Sequence, residues 1–151
     1  MLSSKAKYAL RALVCLAEAY RDDGWMLSSE IAAEETIPKK FLEAILVELR
    51  DKSIVKSRRG RYGGYRLARA PSLISTGAVI RSIDGSLSLT PCASRTQFDQ
   101  CADCVDVRLC PMQPLLRKAR DAVASVLDGC SIADLVRHPR NKGSRTPRVA
   151  V

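Results

Sequence analysis

Apolar residues recur at helical intervals through the first third of the chain. Leu10, Leu13, Val14 and Ala17 share one face of a stretch that Ser3 or Ser4 can cap and Gly24 closes, which predicts a first packing helix. Trp25-Met26-Leu27 follows as a short apolar link with the character of a strand that could pair elsewhere. Ser28 can cap a second, short helix over 29–35 with Ile31 and Ala32 inward, and Thr36-Ile37-Pro38 breaks it. Pro38 suits the first position of a third helix, where a missing N–H costs nothing. In that helix Leu42, Ile45, Leu46 and Leu49 fall on one face, while Lys39, Lys40, Glu43, Val47 and Arg50 turn largely away. The helix should stop near residues 51–53. There the period changes: Ile54-Val55 opens a β-branched run whose return limb is Tyr65-Arg66-Leu67. Gly63-Gly64 between the limbs is expected to supply the positive φ angles of a tight hairpin turn.

Pro71-Ser72-Leu73 marks the far edge of the hairpin, and a further short helix spans 75–83 before Asp84-Gly85. Polar and turn residues dominate from 86 to 106. After Cys110-Pro111 a long helix carries Leu115, Ala119, Ala122 and Val126 along one stripe, with Leu116 and Val123 beside it and Arg117, Lys118, Arg120 and Asp121 on much of the other face. A long helix separated from the first half by a polar segment has no obvious partner in so small a domain. Pairing with the same helix of a second copy is the economical solution, and packing on the first helix is compatible with it. Asp128-Gly129 ends the long helix and 130–135 reads as a short terminal one. Residues 137–151 form a basic, Pro- and Gly-containing tail expected to be disordered, with the single histidine, His138, solvated. Four segments result: 1–85, 86–110, 111–136 and 137–151.

Charge gives this pattern a purpose. The formal net charge is +9 and the sequence pI about 9.6, which points to nucleic acid or an anionic membrane surface. No apolar run approaches the roughly 18 residues of a spanning helix, and the N-terminus lacks the apolar core and cleavage site of a signal peptide. A cytoplasmic protein without a membrane partner is the expectation. Between 52 and 69 the ionised side chains are Lys52, Lys56, Arg58, Arg59, Arg61, Arg66 and Arg69, with no acid among them. Two short helices joined by a tight turn, the second followed by such a hairpin, make a winged helix-turn-helix: mainly α, with a small β-hairpin wing and a long dimerisation helix. A helical domain with a merely solvated charged face is the plainer alternative. On the DNA-binding reading the third helix enters the major groove. Lys39 and Lys40 approach phosphate or guanine there, and Glu43 accepts a hydrogen bond from cytosine. Arg58, Arg59 and Arg61 release counterions and Arg59 enters a narrowed minor groove. Ser28, Tyr62 and Arg66 complete the candidate contact set. Two copies would read a near-palindromic duplex with half-sites about one helical turn apart.

Six cysteines in a cytoplasmic chain point to metal ligands, redox groups or buried apolar residues before structural disulfides. Cys15, within the first helix, reads as a small buried hydrophobe. Cys92, Cys101, Cys104 and Cys110 crowd into one loop separated by eight, two and five residues. Thiolates suit zinc or an iron–sulfur cluster. Zinc modules usually show two close pairs, and only Cys101 and Cys104 are close here, which favours a cluster over zinc. A thiol switch at Cys101 and Cys104, activated by Arg95 or Arg108, and four unliganded cysteines in a mobile loop are the other readings. No Ser-His-Asp arrangement, phosphate-cradling glycine loop or facing carboxylate pair suggests an enzyme. A small thiol oxidoreductase would need a βαβ unit beside its Cys-x-x-Cys, and none is apparent.

With both halves in view the chain resembles the Rrf-type (IscR/NsrR/CymR-like) family of bacterial winged-helix transcriptional regulators. Tyr8-Ala9-Leu10-Arg11, Glu30-Ile31-Ala32 and Ile37-Pro38-Lys39-Lys40-Phe41-Leu42-Glu43 carry the resemblance. So do Arg59-Gly60-Arg61-Tyr62-Gly63-Gly64-Tyr65-Arg66-Leu67-Ala68, Ile83-Asp84-Gly85 and the cysteine loop ahead of the long helix. The order and spacing of these fragments, over nearly all of 1–136, is what is specific. The resemblance implies a homodimeric DNA-binding repressor or activator with crossed long helices, in whose cluster-binding members three loop cysteines hold a [2Fe–2S] or [4Fe–4S] centre. It maps that trio onto Cys92, Cys104 and Cys110 and leaves Cys101 extra. Where some members supply a histidine as fourth ligand this chain has Gln113, and where others supply a carboxylate it has Lys7. The expected function is sensing of iron–sulfur status, redox or nitric oxide. A zinc- or thiol-dependent regulator of the same fold is the alternative.

Overall fold

The computed structural model describes residues 2–20 and 24–137. Helix α1 (Ser4–Ala19) is its hub, packing against α2 (Ser28–Glu35), α3 (Lys39–Asp51), α4 (Thr76–Asp84) and α6 (Ile132–Arg137). Ser3 caps α1 by accepting from the Ala6 N–H at 3.0 Å. Because helices surround α1, its buried face is broader than the expected stripe. Ala6, Ala9, Ala12, Leu13, Cys15 and Leu16 are buried and Leu10 only half so. The alanines let neighbouring backbones approach closely.

The helix-turn-helix forms with small shifts from the sequence-based expectation. α2 begins at Ser28 itself, and its N-terminus is closed by Glu30, which accepts from the Leu27 N–H at 2.7 Å. The Ser28 hydroxyl is engaged elsewhere, so it is not the cap. Thr36 ends α2 in the left-handed region at φ 52°, and Pro38 stands one residue ahead of α3, its carbonyl accepting from the Leu42 N–H. Leu42, Ile45, Leu46 and Leu49 are all buried, as their spacing requires. Each contributes about 1.5–3 kcal/mol by burial, and together they fix the rotation of α3.

Strands β1 (Val55–Arg58) and β2 (Gly64–Leu67) pair antiparallel, Val55 opposite Leu67 and Arg58 opposite Gly64. Met26 adds a bridge to Tyr65, as the apolar link suggested. The turn differs from a Gly63-Gly64 corner. Positive φ occurs at Gly60 and Gly64, not at Gly63. Gly63 is required for space, since a Cβ there would run into the Arg58 and Gly60 carbonyl oxygens.

α4, capped by Ser75 and closed at Gly85, leads into the cysteine segment and then α5 (Gln113–Asp128). Arg81 and Asp128 tie α4 to α5, as does Thr76, whose hydroxyl donates to the Leu127 carbonyl at 2.7 Å. α6 then returns to the hub, with Ile132 buried against α1 and its N–H donating to the Ile74 carbonyl. Arg137 belongs to α6 rather than to a tail. The expected disordered tail and His138 otherwise lie outside the described residues. No helix is long and apolar enough, among the described residues, to cross a membrane.

Candidate nucleic-acid interface and cysteine centre

The outer face of α3 is organised around Glu43. Its carboxylate accepts from the Ser28 hydroxyl at 3.0 Å and lies 3.8 Å from the Lys39 ammonium one turn earlier. Lys40 is exposed beside them. The start of α3 is held on α1 by an edge-to-face contact between Phe41 and Tyr8, with centroids 5.9 Å apart, and Arg11 lies over the same tyrosine ring. Arg11 also donates to Glu35, a fully buried carboxylate, at 2.9 Å and to the Glu35 main-chain carbonyl.

In the wing the cations divide into two groups. The Arg58 guanidinium lies 4.5 Å and that of Arg66 5.0 Å from the centre of the Trp25 ring, and Arg58 also donates to the Tyr62 carbonyl. Both are folded onto the wing's own frame. Arg59, Arg61 and Tyr62 are exposed at its tip, Tyr62 by 77%. Trp25 escaped the sequence reading as a functional residue. Its signal was its place beside Met26, the residue that meets the cationic strand.

Cys92 is buried in a 3-10 turn, Pro91–Ala93, and Cys101, Cys104 and Cys110 are half-buried around it. Interaction with Cys92, with burial adding to it, pushes the Cys101 pKa up. Burial likewise raises Cys104, helped by its neighbours Cys110, Asp103 and Cys92. The Cys104 N–H donates to the Cys101 carbonyl at 3.0 Å, closing the turn between them. Ahead of Cys110, Arg108 clamps Asp106, whose carboxyl is held below the usual range by that bond.

α5 grips this loop through Arg120, which is itself buried. Its guanidinium donates to the Ala93 carbonyl and to Asp121 at 2.7 Å, and Asp121 also pairs with Arg95 at 3.0 Å. The Gln113 side chain approaches the Cys92 carbonyl from the start of α5. Cys15 is buried as expected but has polar company: its sulfur is 3.3 Å from a Glu34 oxygen and 3.8 Å from the Met26 sulfur. Among the described residues, Cys15, Glu34 and Glu35 are a group whose ligand atoms all lie within 4.8 Å, and the loop thiols do not gather so closely.

A helix-turn-helix with a cationic wing defines a DNA-binding transcriptional regulator, not an enzyme. The sequence matches the Rrf2 family, described as an iron-dependent transcriptional regulator, over residues 2–138, and the chain belongs to that family. It is 39% identical to an Rrf2-like helix-turn-helix regulator of Rhodobacter capsulatus over 90% of this chain and 92% of the relative. With the regulator NsrR of Geobacillus kaustophilus it shares 33% identity over 89% of this chain and 88% of NsrR. The CymR structure, the global cysteine regulator of B. subtilis, superposes with a TM-score of 0.73 at 29% identity, covering 92% of this chain and 98% of CymR. IscR of T. potens gives 0.69 at 26%, covering 97% and 93%.

Proposed function

We propose that two copies of the chain form a sequence-specific repressor in the cytoplasm whose DNA affinity follows an iron–sulfur cluster in the 92–110 loop. The observation that carries this reading is a bonded route between loop and reading head. It runs from the Cys92 turn through Arg120 to α5, from Asp128 to Arg81 on α4, and from Asp84 to Ser3 at the start of α1. The IscR and NsrR relatives support it by kind.

On this reading α3 enters the major groove. Lys39 and Lys40 meet phosphate or guanine, and Glu43, steadied by Ser28 and Lys39, accepts from cytosine and rejects bases that offer only acceptors. Arg59 and Arg61 grip the backbone or minor groove with Tyr62 against sugar. Arg58 and Arg66 hold the wing in shape on Trp25. A near-palindromic operator with half-sites one helical turn apart suits the paired heads.

The four loop thiols fit a cluster in kind: they are soft donors carried by one hydrogen-bonded loop. A bound cluster supplies a reversible electron step and a centre that oxidants or nitric oxide can dismantle. Zinc is the alternative occupant; zinc modules usually offer two close pairs of ligands, and only Cys101 and Cys104 are a close pair in this loop. A bare thiol switch calls for lowered pKa values, and Cys101 and Cys104 are shifted the other way. The cluster can change DNA affinity only as far as it binds the two dimer geometries unequally.

The test is oxygen-free purification with counting of iron, acid-labile sulfide and zinc, followed by selection of bound duplexes from genomic fragments. The expected result is iron and sulfide in equal amounts and an operator affinity that differs between loaded and stripped dimer. Zinc alone, or equal affinity in both states, would contradict the proposal.

A further inference from the structure

We infer that Cys15, Glu34 and Glu35, with the Met26 thioether as fourth donor, form a site for a divalent transition-metal ion of the zinc class within the reading head. The site is separate from the cysteine loop. Three segments deliver its donors: α1 brings Cys15, the last turn of α2 brings Glu34 and Glu35, and the link between the two helices brings Met26. The Cys15 sulfur stands 3.3 Å from a Glu34 carboxylate oxygen and 3.8 Å from the Met26 sulfur. The donor atoms of Cys15, Glu34 and Glu35 all lie within 4.8 Å of one another. An ion held tetrahedrally at about 2.0–2.3 Å from each donor sets the donors about 3.3–3.8 Å apart. Both sulfur distances already match that spacing, and the carboxylates need to close by about 1 Å at most.

The donors select the ion. A thiolate and a thioether disfavour magnesium and calcium, and two carboxylates disfavour cuprous copper. That leaves a borderline divalent ion, and zinc is the one most at ease with four ligands. Three anionic donors balance the two charges of such an ion and the one of Arg11, whose guanidinium bonds Glu35 at 2.9 Å and stays to orient it. Glu34 is exposed and gives the ion its way in, while Cys15 and Glu35 are buried and give it a dry seat. The Cys15 thiol proton leaves to solvent as the sulfur–metal bond forms. Met26 exchanges main-chain hydrogen bonds with Tyr65 of β2 at 3.0 and 2.8 Å, so an ion here fastens α1, α2 and the wing to one point.

The experiment uses the full-length chain carrying C101S, C104S and C110S, which removes the loop as a metal site and makes the outcome independent of the cluster reading. This parent, and the same chain with C15A, E34Q or M26L added, is titrated with zinc and with cobalt, gel-filtered and analysed for bound metal. Circular dichroism of the metal-free chains checks folding. E34Q, at an exposed residue, tests the site even if C15A does not fold. The parent should retain one ion per chain through gel filtration and show a thiolate-to-cobalt absorption band. At zinc a hundred times its dissociation constant it should melt about 5–10 °C higher. C15A should lose both the band and the ion, E34Q should bind about tenfold more weakly or worse, and M26L should shift the band. A parent that retains no ion, or C15A and E34Q chains that bind as the parent does, would overturn the site. An unshifted M26L band would overturn the thioether ligand.

Discussion

The buried guanidinium of Arg120 on α5 donates to the main-chain carbonyl of Ala93, the residue directly after Cys92. A rearrangement of the Cys92 turn must therefore either move α5 or break this bond. R120M keeps much of the side-chain volume and removes the donor. It should cost about 1–3 kcal/mol of stability, because the Ala93 carbonyl loses its partner. It should also bring the ratio of operator affinities, loaded to stripped, toward one while cluster content stays normal. Fluorescence anisotropy on one operator in both states measures that ratio. A ratio equal to that of wild type would show that the loop communicates by another route.

The same latch has a pH signature. Arg120 chiefly, then Arg95, holds the Asp121 carboxyl below the usual carboxylate range. A carboxyl depressed in the folded state binds its proton more readily when unfolded, so its contribution is present above the unfolded pKa and disappears as pH falls through the folded one. Acid titration of the metal-free protein should therefore show a steeper stability loss through the carboxylate range for wild type than for D121N. Urea midpoints at a series of pH values provide the comparison.

Arg11 and Glu35 link α1 to the end of α2, and the Glu35 side chain is wholly out of water. Removing the cation takes the neutralising charge away from a buried carboxylate, so R11M should destabilise the protein by about 3 kcal/mol. E35Q on that background removes the buried negative charge and should recover part of the loss. A double-mutant cycle from urea midpoints would read the coupling directly.

Much of this molecule was legible in its sequence because periodicity reports burial. The spacing of Leu42, Ile45, Leu46 and Leu49 fixed the buried face of α3, and the change to a β-branched run at Ile54-Val55 located the wing. What escaped depends on contacts between distant residues. Ser28 could be read as a cap from its neighbours, but its hydroxyl is drawn to Glu43, fifteen residues on. The glycine pattern showed that a turn exists and not which glycine carries positive φ, since Gly63 is constrained by the Arg58 carbonyl across the hairpin. Nothing local marked Arg120 as a buried anchor, because its partner is a backbone atom of another segment. Trp25 likewise became meaningful only once strand pairing set two guanidinium groups against its ring.

That stacking makes a prediction that separates shape from charge in the wing. Each guanidinium on Trp25 contributes about 0.5–1 kcal/mol at a partly exposed site, so W25A should weaken operator binding roughly five- to tenfold by loosening the wing. The number of cations is unchanged, and the slope of log affinity against log salt should be as well. R59A removes an exposed charge at the wing tip, proposed above to grip DNA, and should reduce that slope by about one. If W25A altered the slope as R59A does, Arg58 or Arg66 would be contacting DNA themselves.

The outward face of α5 offers the most direct test of assembly. Leu115 and Val126 are 67% and 72% exposed, and Ala119 and Ala122 lie between them on the same stripe. This face points away from the protomer's own core, so a charge placed on it should leave the fold intact. In a symmetric dimer each substitution occurs twice. If burial of Val126 contributes about 1.5 kcal/mol per copy, V126E should weaken dimerisation roughly a hundredfold, with an unchanged circular dichroism spectrum and unchanged cluster content. Sedimentation equilibrium would follow the dimer, and binding to one half-site against the full operator would follow its consequence. The variant should lose the advantage of the full operator yet retain its half-site affinity. A V126E protein that stays dimeric at low micromolar concentration would move the interface off this face.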